Sequence, residues 1–243
     1  MIVLMTDFGE SEYVGVMKGV ILSIAPGTHI VDLTHSISPQ SVREGAWVLL
    51  QNYHYFPHDT RFVCVVDPGV GTDRDSVLVY TKNYVFIGPD NGLCYPAAHH
   101  DGIKRIFSLS IDEDASRTFH GRDVFAVAAA NLENQNIGKY LGPSKNALDT
   151  KLVFHQEGRE GEVVRIDRFG NIVTNIPPLG RGPVKVRTNE IDRDLVQYST
   201  YAEGLEDEIF VVTGSSTTLE ISAPNARASD LLPLRVGDRL TIE

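Results

Sequence analysis

Apolar residues recur along this chain in two different rhythms, and the change of rhythm divides it. Residues 2–5 form a short apolar run. Val14, Met17, Val20, Ile21 and Ile24 then recur at steps of three and four, which places them on one helical face. Residues 29–33 return to a strand-like pattern. Ser41 and Glu44 stand at the spacing of a capping box, and residues 46–50 continue an apolar helix. Residues 61–66, 77–80 and 84–87 read as buried strands, and 123–132 as an Ala-rich helix. This alternation predicts an α/β fold: a largely parallel central sheet flanked by helices.

The helical rhythm stops near residue 150. Residues 155–162 are polar with two glycines, as suits a linker. Short β-like segments follow at 162–167, 171–175, 184–187, 209–212, 217–222 and 239–242, separated by Gly, Pro, Asn and Asp. Such punctuation predicts a smaller all-β barrel. The expected division is an N-terminal α/β domain over 1–154 and a C-terminal β-barrel domain over 155–243.

Composition narrows the function classes. The 243 residues are 42% hydrophobic and 22% charged, which excludes a disordered chain. A formal net charge of −10 argues against nucleic acid as a partner, because phosphate recognition relies on clustered Lys and Arg. No apolar run reaches the roughly 18 residues of a membrane span. Cys64 and Cys94 sit in apolar stretches outside any CxxC pattern and read as two reduced core thiols. The opening MIVLMTDFG lacks a basic run and a small-residue cleavage site, so a cytoplasmic protein is expected. The eight histidines show no metal-ligand spacing, and no metal is expected. Phosphate-loop, dinucleotide, nucleophile-elbow and HExxH motifs are missing.

What remains is a set of polar, glycine-bounded segments that come after the expected strands, where α/β sheets bind ligands. Asp7 and Phe8 succeed the first strand. The Asp7 carboxylate suits a ribose diol, and equally suits capping the next helix. Asp32-Leu33-Thr34-His35 reads mainly as a turn network. Asp67 ends an apolar strand, and the Pro68–Gly71 turn lets Arg74, seven residues on, fold back to pair with it. His120 precedes the Ala-rich helix, where it either faces a pocket or is held locally. In the second half, Phe169 and Tyr201 can stack on a purine, Asn171 can donate and accept at an adenine edge, and Ser215 and Ser216 can hold a carboxylate.

In order, TDFG (6–9), DLTHSI (32–37), VVDPGVGTDR (65–74), GPDNG (88–92), TFHGRD (118–123), DRFGNIVTNI (167–176) and GSS (214–216) resemble the S-adenosyl-L-methionine (SAM) hydroxide adenosyltransferase family, related to the fluorinase and chlorinase enzymes. The resemblance spans nearly the whole chain. It implies an N-terminal α/β domain and a C-terminal barrel, assembled as a homotrimer with SAM at the subunit interfaces. It assigns catalysis to Asp67, Arg74 and His120, and ribose binding to Asp7 beside Phe8. Phe169, Asn171 and Tyr201 fall on the adenine side, Ser215 and Ser216 at the methionine carboxylate, and Asp167 at the methionine amino group. The spacing from Asp167 to Phe169 differs from that in the halogenases.

The implied reaction is attack of water on C5′ of SAM, giving adenosine and L-methionine, with SAM as substrate and no cofactor. The leaving group is a neutral thioether, so departure needs no general acid. Placing and activating the water is the enzyme's task. Two rival readings remain. A halogenase would carry a hydroxyl residue where this chain has Gly121, and Asp67 would repel its halide. A non-catalytic SAM- or adenosine-binding module would have no need of Asp67, Arg74 and His120.

Overall fold

The computed structural model describes residues 1–206 and 208–243. They form two compact units, Met1–Leu152 and Val153–Glu243. In the first unit the order is β1 (Ile2–Thr6), α1 (Glu12–Ile24), β2 (Ile30–Thr34), α2 (Val42–Asn52), β3 (Arg61–Val65), β4 (Ser76–Tyr80), β5 (Val85–Pro89), α3 (Tyr95–Asp101), β6 (Arg105–Leu109), α4 (Val127–Glu133) and β7 (Leu141–Lys145). The strands make one seven-stranded sheet, ordered β2-β1-β3-β5-β4-β6-β7.

The α/β class agrees with the sequence reading, but the sheet is mixed. β1 is parallel to β2 and β3, and β3 to β5. The pairs β4–β5, β4–β6 and β6–β7 are antiparallel. The reason is local. β4 passes to β5 through a tight turn closed by the Thr81 N–H on the Tyr84 carbonyl at 3.0 Å, far too short for the crossover that a parallel pair needs. The apolar pattern does not predict β6 or β7. β7, Leu-Gly-Pro-Ser-Lys, has little β propensity and is held at the sheet edge by pairing with β6.

Successive side chains on a strand face opposite sides, and the sequence fills both. Val3, Met5, Phe62, Cys64 and Phe86 pack in one core with Val48 and Leu49 of α2 and Ala97 and Ala98 of α3. Ile2, Leu4, Val63, Val65 and Ile87 pack in another with Met17 and Ile21 of α1 and the alanines 128–130 of α4. Three layers result. Each fully buried aliphatic contributes about 1.5–3 kcal/mol relative to exposure.

Two helix starts depart from the simple pattern. Ser41 makes no side-chain cap at α2. Glu44 is buried, and its carboxylate accepts the Ser38 N–H at 3.2 Å, so it braces the chain before the helix rather than closing a capping box. Ahead of α4, residues Gly121–Ala126 wind as a π-helical turn that begins directly after His120. Such wide turns are short and recur at functional sites.

The second unit contains β8 (Glu160–Ile166), β9 (Ile172–Thr174), β10 (Gly182–Arg187), β11 (Asp192–Tyr198), β12 (Phe210–Thr213), β13 (Leu219–Ser222), the short α5 (Ala228–Leu231) and β14 (Arg239–Ile242). They close a barrel in the order β10-β11-β12-β13-β9-β8-β14. Val163, Ile172, Val186, Val211, Leu219 and Ile221 are among its buried core residues. The stretch expected as a linker already contains the start of β8, with a bridge between Glu157 and Glu160. β11 is not legible in the apolar pattern, because Asp192, Arg193 and Asp194 break the alternation; only Leu195 and Gln197 turn inward. Among the described residues, no helix is long and apolar enough to cross a membrane.

One ionic cluster ties β7 to the loop before β4. Lys145 Nζ lies 2.5 Å from Asp75, 3.0 Å from Asp90 and 2.7 Å from Asp149. Burial alone would lower its pKa, but hydrogen bonds to Asp149, Asp75 and Asp90 carry it well above the ordinary lysine value. The Asp90 side chain is only 1% exposed. Replacing Lys145 with Met leaves that carboxylate without its cation and is expected to destabilise the first unit by roughly 3 kcal/mol. Chemical denaturation of K145M against the parent chain measures it; an unchanged midpoint would show that the cluster carries no load.

Candidate active site

β1 and β3 are parallel neighbours, with Thr6 opposite Val65, so the segments after them leave the sheet side by side. Asp7 comes from the first and Asp67 from the second. Both line a cavity of about 420 Å³ together with Phe8, Phe119, His120 and Gly121. The loop from Asp67 folds back as the spacing predicts. Arg74 Nε donates to Asp67 Oδ1 at 3.0 Å, and Arg74 Nη2 makes a short second bond to Asp67 Oδ2. The same Nη2 reaches His120 Nδ1 at 2.9 Å. Nη1 donates to Ser76 Oγ at 2.8 Å, and the guanidinium stands 5.6 Å from the centre of the Phe125 ring. Asp67 and Arg74 side chains are 5% and 11% exposed, so this is a largely buried, bidentate pair. Arg74 does not line the cavity; it stands behind Asp67 and His120 and joins them.

The loop can lie this close because of Gly71. Its φ is +76°, in the left-handed region that glycine alone enters freely, and a Cβ there would collide with the Arg117 carbonyl. Arg117 belongs to the segment that delivers His120. The close approach therefore seats both halves of the triad against each other.

Guanidinium carries only donors, so His120 Nδ1 must accept. The ring then holds its proton on Nε2 and is neutral. Its pKa is pushed below the ordinary histidine value, first by burial and then by the Arg74 cation, with Asp67 and Asp123 pulling the other way. A protonated ring would have to give up the Arg74 bond and stand as a second cation beside it.

Asp7 does not cap α1; Ser11 occupies that position, and Asp7 Oδ2 accepts the Gln40 N–H at 2.8 Å. This pins the end of β1 to the loop before α2. Phe8 meets Tyr13 and Phe119 edge to face, with centroids 5.6 and 5.9 Å apart. The Asp32–His35 segment works as a brace: His35 contacts Thr6 Oγ1 at 2.9 Å through Nδ1 and Asp32 at 3.1 Å through Nε2.

The remaining expected residues gather in the second unit, around a cavity of about 980 Å³. Asp167, Phe169, Asn171, Tyr201 and Ser215 line it; Ser216 does not. Phe169 is 67% exposed and Tyr201 49%, which leaves both rings available to a ligand. Asp167, expected to face a ligand amine, is committed to its own turn. Its Oδ1 accepts the N–H groups of Phe169 and Asn171 at 2.8 and 2.9 Å, and its Oδ2 accepts Asn171 Nδ2 at 2.9 Å. The sequence motifs do not include Glu220, whose carboxylate accepts the Tyr201 hydroxyl at 2.7 Å in the wall of the same cavity. The one signal for it is an acid standing alone between Leu219 and Ile221 in a buried strand. Among the described residues, no group of three His, Cys, Asp or Glu side chains is placed to hold a metal ion.

Comparison with known proteins places this geometry in a family. Residues 2–142 match the model of the SAM hydroxide adenosyltransferase N-terminal domain, and residues 161–241 that of the C-terminal domain. An (R)-S-adenosyl-L-methionine hydrolase of Methanocaldococcus jannaschii is 44% identical over 184 residues, covering 72% of this chain and 66% of the relative. A protein of the same name from Thermus thermophilus is 36% identical over 247 residues, covering 96% and 95%. The crystal structure of an uncharacterized conserved protein from Thermotoga maritima superposes with a TM-score of 0.86 at 33% identity over the full length of both chains. With both domain models matched in order across two cavities that hold most of the expected side chains, the chain belongs to the SAM hydroxide adenosyltransferase family.

Proposed function

We propose that this protein hydrolyses SAM by attack of water on C5′, giving adenosine and L-methionine. The observation that carries the reading is the Arg74 guanidinium bound at once to Asp67 and His120, with both partners lining one cavity beside Asp7. A binding module would have no use for a buried, doubly tied carboxylate at that place. SAM is the substrate in this reading, and no cofactor takes part. The assembly that goes with it is a homotrimer.

In the reaction a C5′–O bond forms as the C5′–S bond breaks. The electron pair leaves on sulfur, which turns from cationic sulfonium to neutral thioether, and one water proton must be removed. The hydrogen-bond pattern divides the labour. His120 already carries a proton on Nε2 and is bound at Nδ1, so it orients the water and does not accept from it. Each Asp67 oxygen spends one lone pair on Arg74 and keeps another. Asp67 therefore takes the proton and passes it to solvent. Arg74 fixes the carboxylate's direction and is the positioning residue of the set. Asp7, beside this group, receives the ribose hydroxyls.

The halogenase reading loses ground on two counts. The fixed charge of Asp67 repels a halide in a low-dielectric cavity. A Cβ at Gly121 would stand 3.2 Å from both Met17 Sδ and the Phe119 ring, so a hydroxyl side chain there needs its neighbours to give way.

Three measurements test the reading. Asp67→Asn keeps shape and removes the base; turnover is expected to fall about 10²–10⁴-fold with a much smaller change in KM. Followed by chromatography in ¹⁸O-water, the parent chain is expected to place the label on the 5′ oxygen of adenosine. Full turnover by D67N would remove Asp67 as base, and unlabelled adenosine would exclude direct attack by water. The third is the pH dependence of stability. Because folding lowers the His120 pKa, the unfolded chain takes up that proton first, and stability is lost as pH falls below 6.5. The contribution is complete above that value. The stability gap between the parent chain and His120→Gln is therefore expected to narrow between pH 7.5 and 5.5; a gap that widens on acidification would mean that the ring is protonated in the folded state.

A further inference from the structure

Three features of the Glu220 carboxylate stand apart from barrel architecture. First, it is 5% exposed yet faces away from the barrel core, because its strand neighbours Leu219 and Ile221 occupy the core side. Second, space has been made for it. The hairpin before β13 is closed by the Gly214 N–H on the Thr218 carbonyl at 2.9 Å, and a Cβ on Gly214 would collide with the carboxylate. Third, its bonding is thin for a buried acid: the Tyr201 hydroxyl is a neutral donor to Oε2, and Asp167, close by, is a second negative charge. Burial, and then the field of Asp167, push the Glu220 carboxyl above its ordinary range, while the Tyr201 bond and the Arg165 cation offset part of this. A buried carboxylate in such surroundings is short of positive charge and of donors. It lines the cavity that also presents Phe169, Asn171 and Ser215.

Asp167 lines the same cavity but has less to offer a cation: three hydrogen bonds from the Phe169–Asn171 turn leave its carboxylate one open lone-pair site, whereas Glu220 accepts the Tyr201 hydroxyl and keeps more. An ammonium group supplies what Glu220 lacks, three donors and a unit charge. We propose that Glu220, steadied by the Tyr201 hydroxyl, binds the α-ammonium group of the amino-acid end of the substrate, with Asp167 holding the turn beside it. This rests on the SAM-consuming reading given above. It makes Glu220 a specificity residue: nucleosides that carry an amino-acid tail are retained, and nucleosides without the amine are not favoured.

The test uses the full chain and binding of ligands whose C5′–S bond is not cleaved, so it does not depend on hydrolysis. Affinities of S-adenosyl-L-homocysteine, its desamino analogue and adenosine are measured by calorimetry for the parent chain, Glu220→Gln and Glu220→Ala. A charge-assisted bond of this kind is worth roughly ten- to hundredfold in affinity. The parent chain is expected to prefer S-adenosyl-L-homocysteine over the desamino analogue by that factor. Both variants are expected to lose that preference while binding adenosine within about twofold of the parent, which also reports an intact barrel. In turnover, KM for SAM is expected to rise by the same factor with kcat little changed. If the parent chain does not distinguish the amine from its absence, or if both variants keep the preference, the proposal is overturned. Equal loss of adenosine binding in folded variants would overturn it too, since Glu220 would then serve the base or the barrel. Failure of the parent chain to release adenosine and methionine from SAM would instead strike the hydrolase reading, and the binding comparison would still decide the role of Glu220.

Discussion

Arg74 meets two demands with one planar group. Its Nε and Nη2 close on the two oxygens of Asp67, and Nη2 also reaches Nδ1 of His120. Because the guanidinium has nothing but donors, its neighbours must offer it acceptors: two carboxylate oxygens on one side and an unprotonated imidazole nitrogen on the other. The orientation of both groups is thus set by one side chain that does not line the cavity. A lysine at this position would keep the charge but lose the fork that addresses two partners together.

A buried charge of this kind is held up by its surroundings. The carbonyl of Asp75, next in sequence to Arg74, accepts the Asp90 N–H at 2.9 Å, and its side chain meets Lys145. Lys145 in turn binds Asp90 and Asp149. One cation thus gathers three carboxylates between the edge strand β7 and the loop after β3. Such a network is a poor source of net stability compared with well-packed apolar residues, yet it is intolerant of losing one member. It anchors Asp75, the residue beside Arg74, while the two apolar cores hold the strands.

Legibility in the sequence tracks the reach of each interaction. The pairing of Asp67 with Arg74 is readable because it is made within one tight loop and depends on spacing. β1, β3 and α1 are readable because their burial is periodic, and Val14, Met17 and Ile21 are the buried face of α1. His120 is placed by motif, but its tautomer depends on a partner 46 positions away. β11 is hidden by charges on its outer face, and β7 by Gly and Pro within it. Asp167 reads as a ligand contact, whereas local amides have prior claim to it. Glu220 carries no motif, because the residues that give it meaning, Gly214, Tyr201 and Asp167, come together only when the barrel closes.

The wide turn at Gly121–Ala126 has a consequence for how such a site can change over generations. A π turn is an α turn that holds one more residue, so it takes up a unit of chain length without disturbing the helix beyond it. Downstream, Ala128, Ala129 and Ala130 stay locked in the core; upstream, His120 stands at the entrance of the turn, bound to Arg74. A one-residue change of length taken up in this turn re-aims His120 by a fraction of a turn while the alanine face beyond it keeps its register.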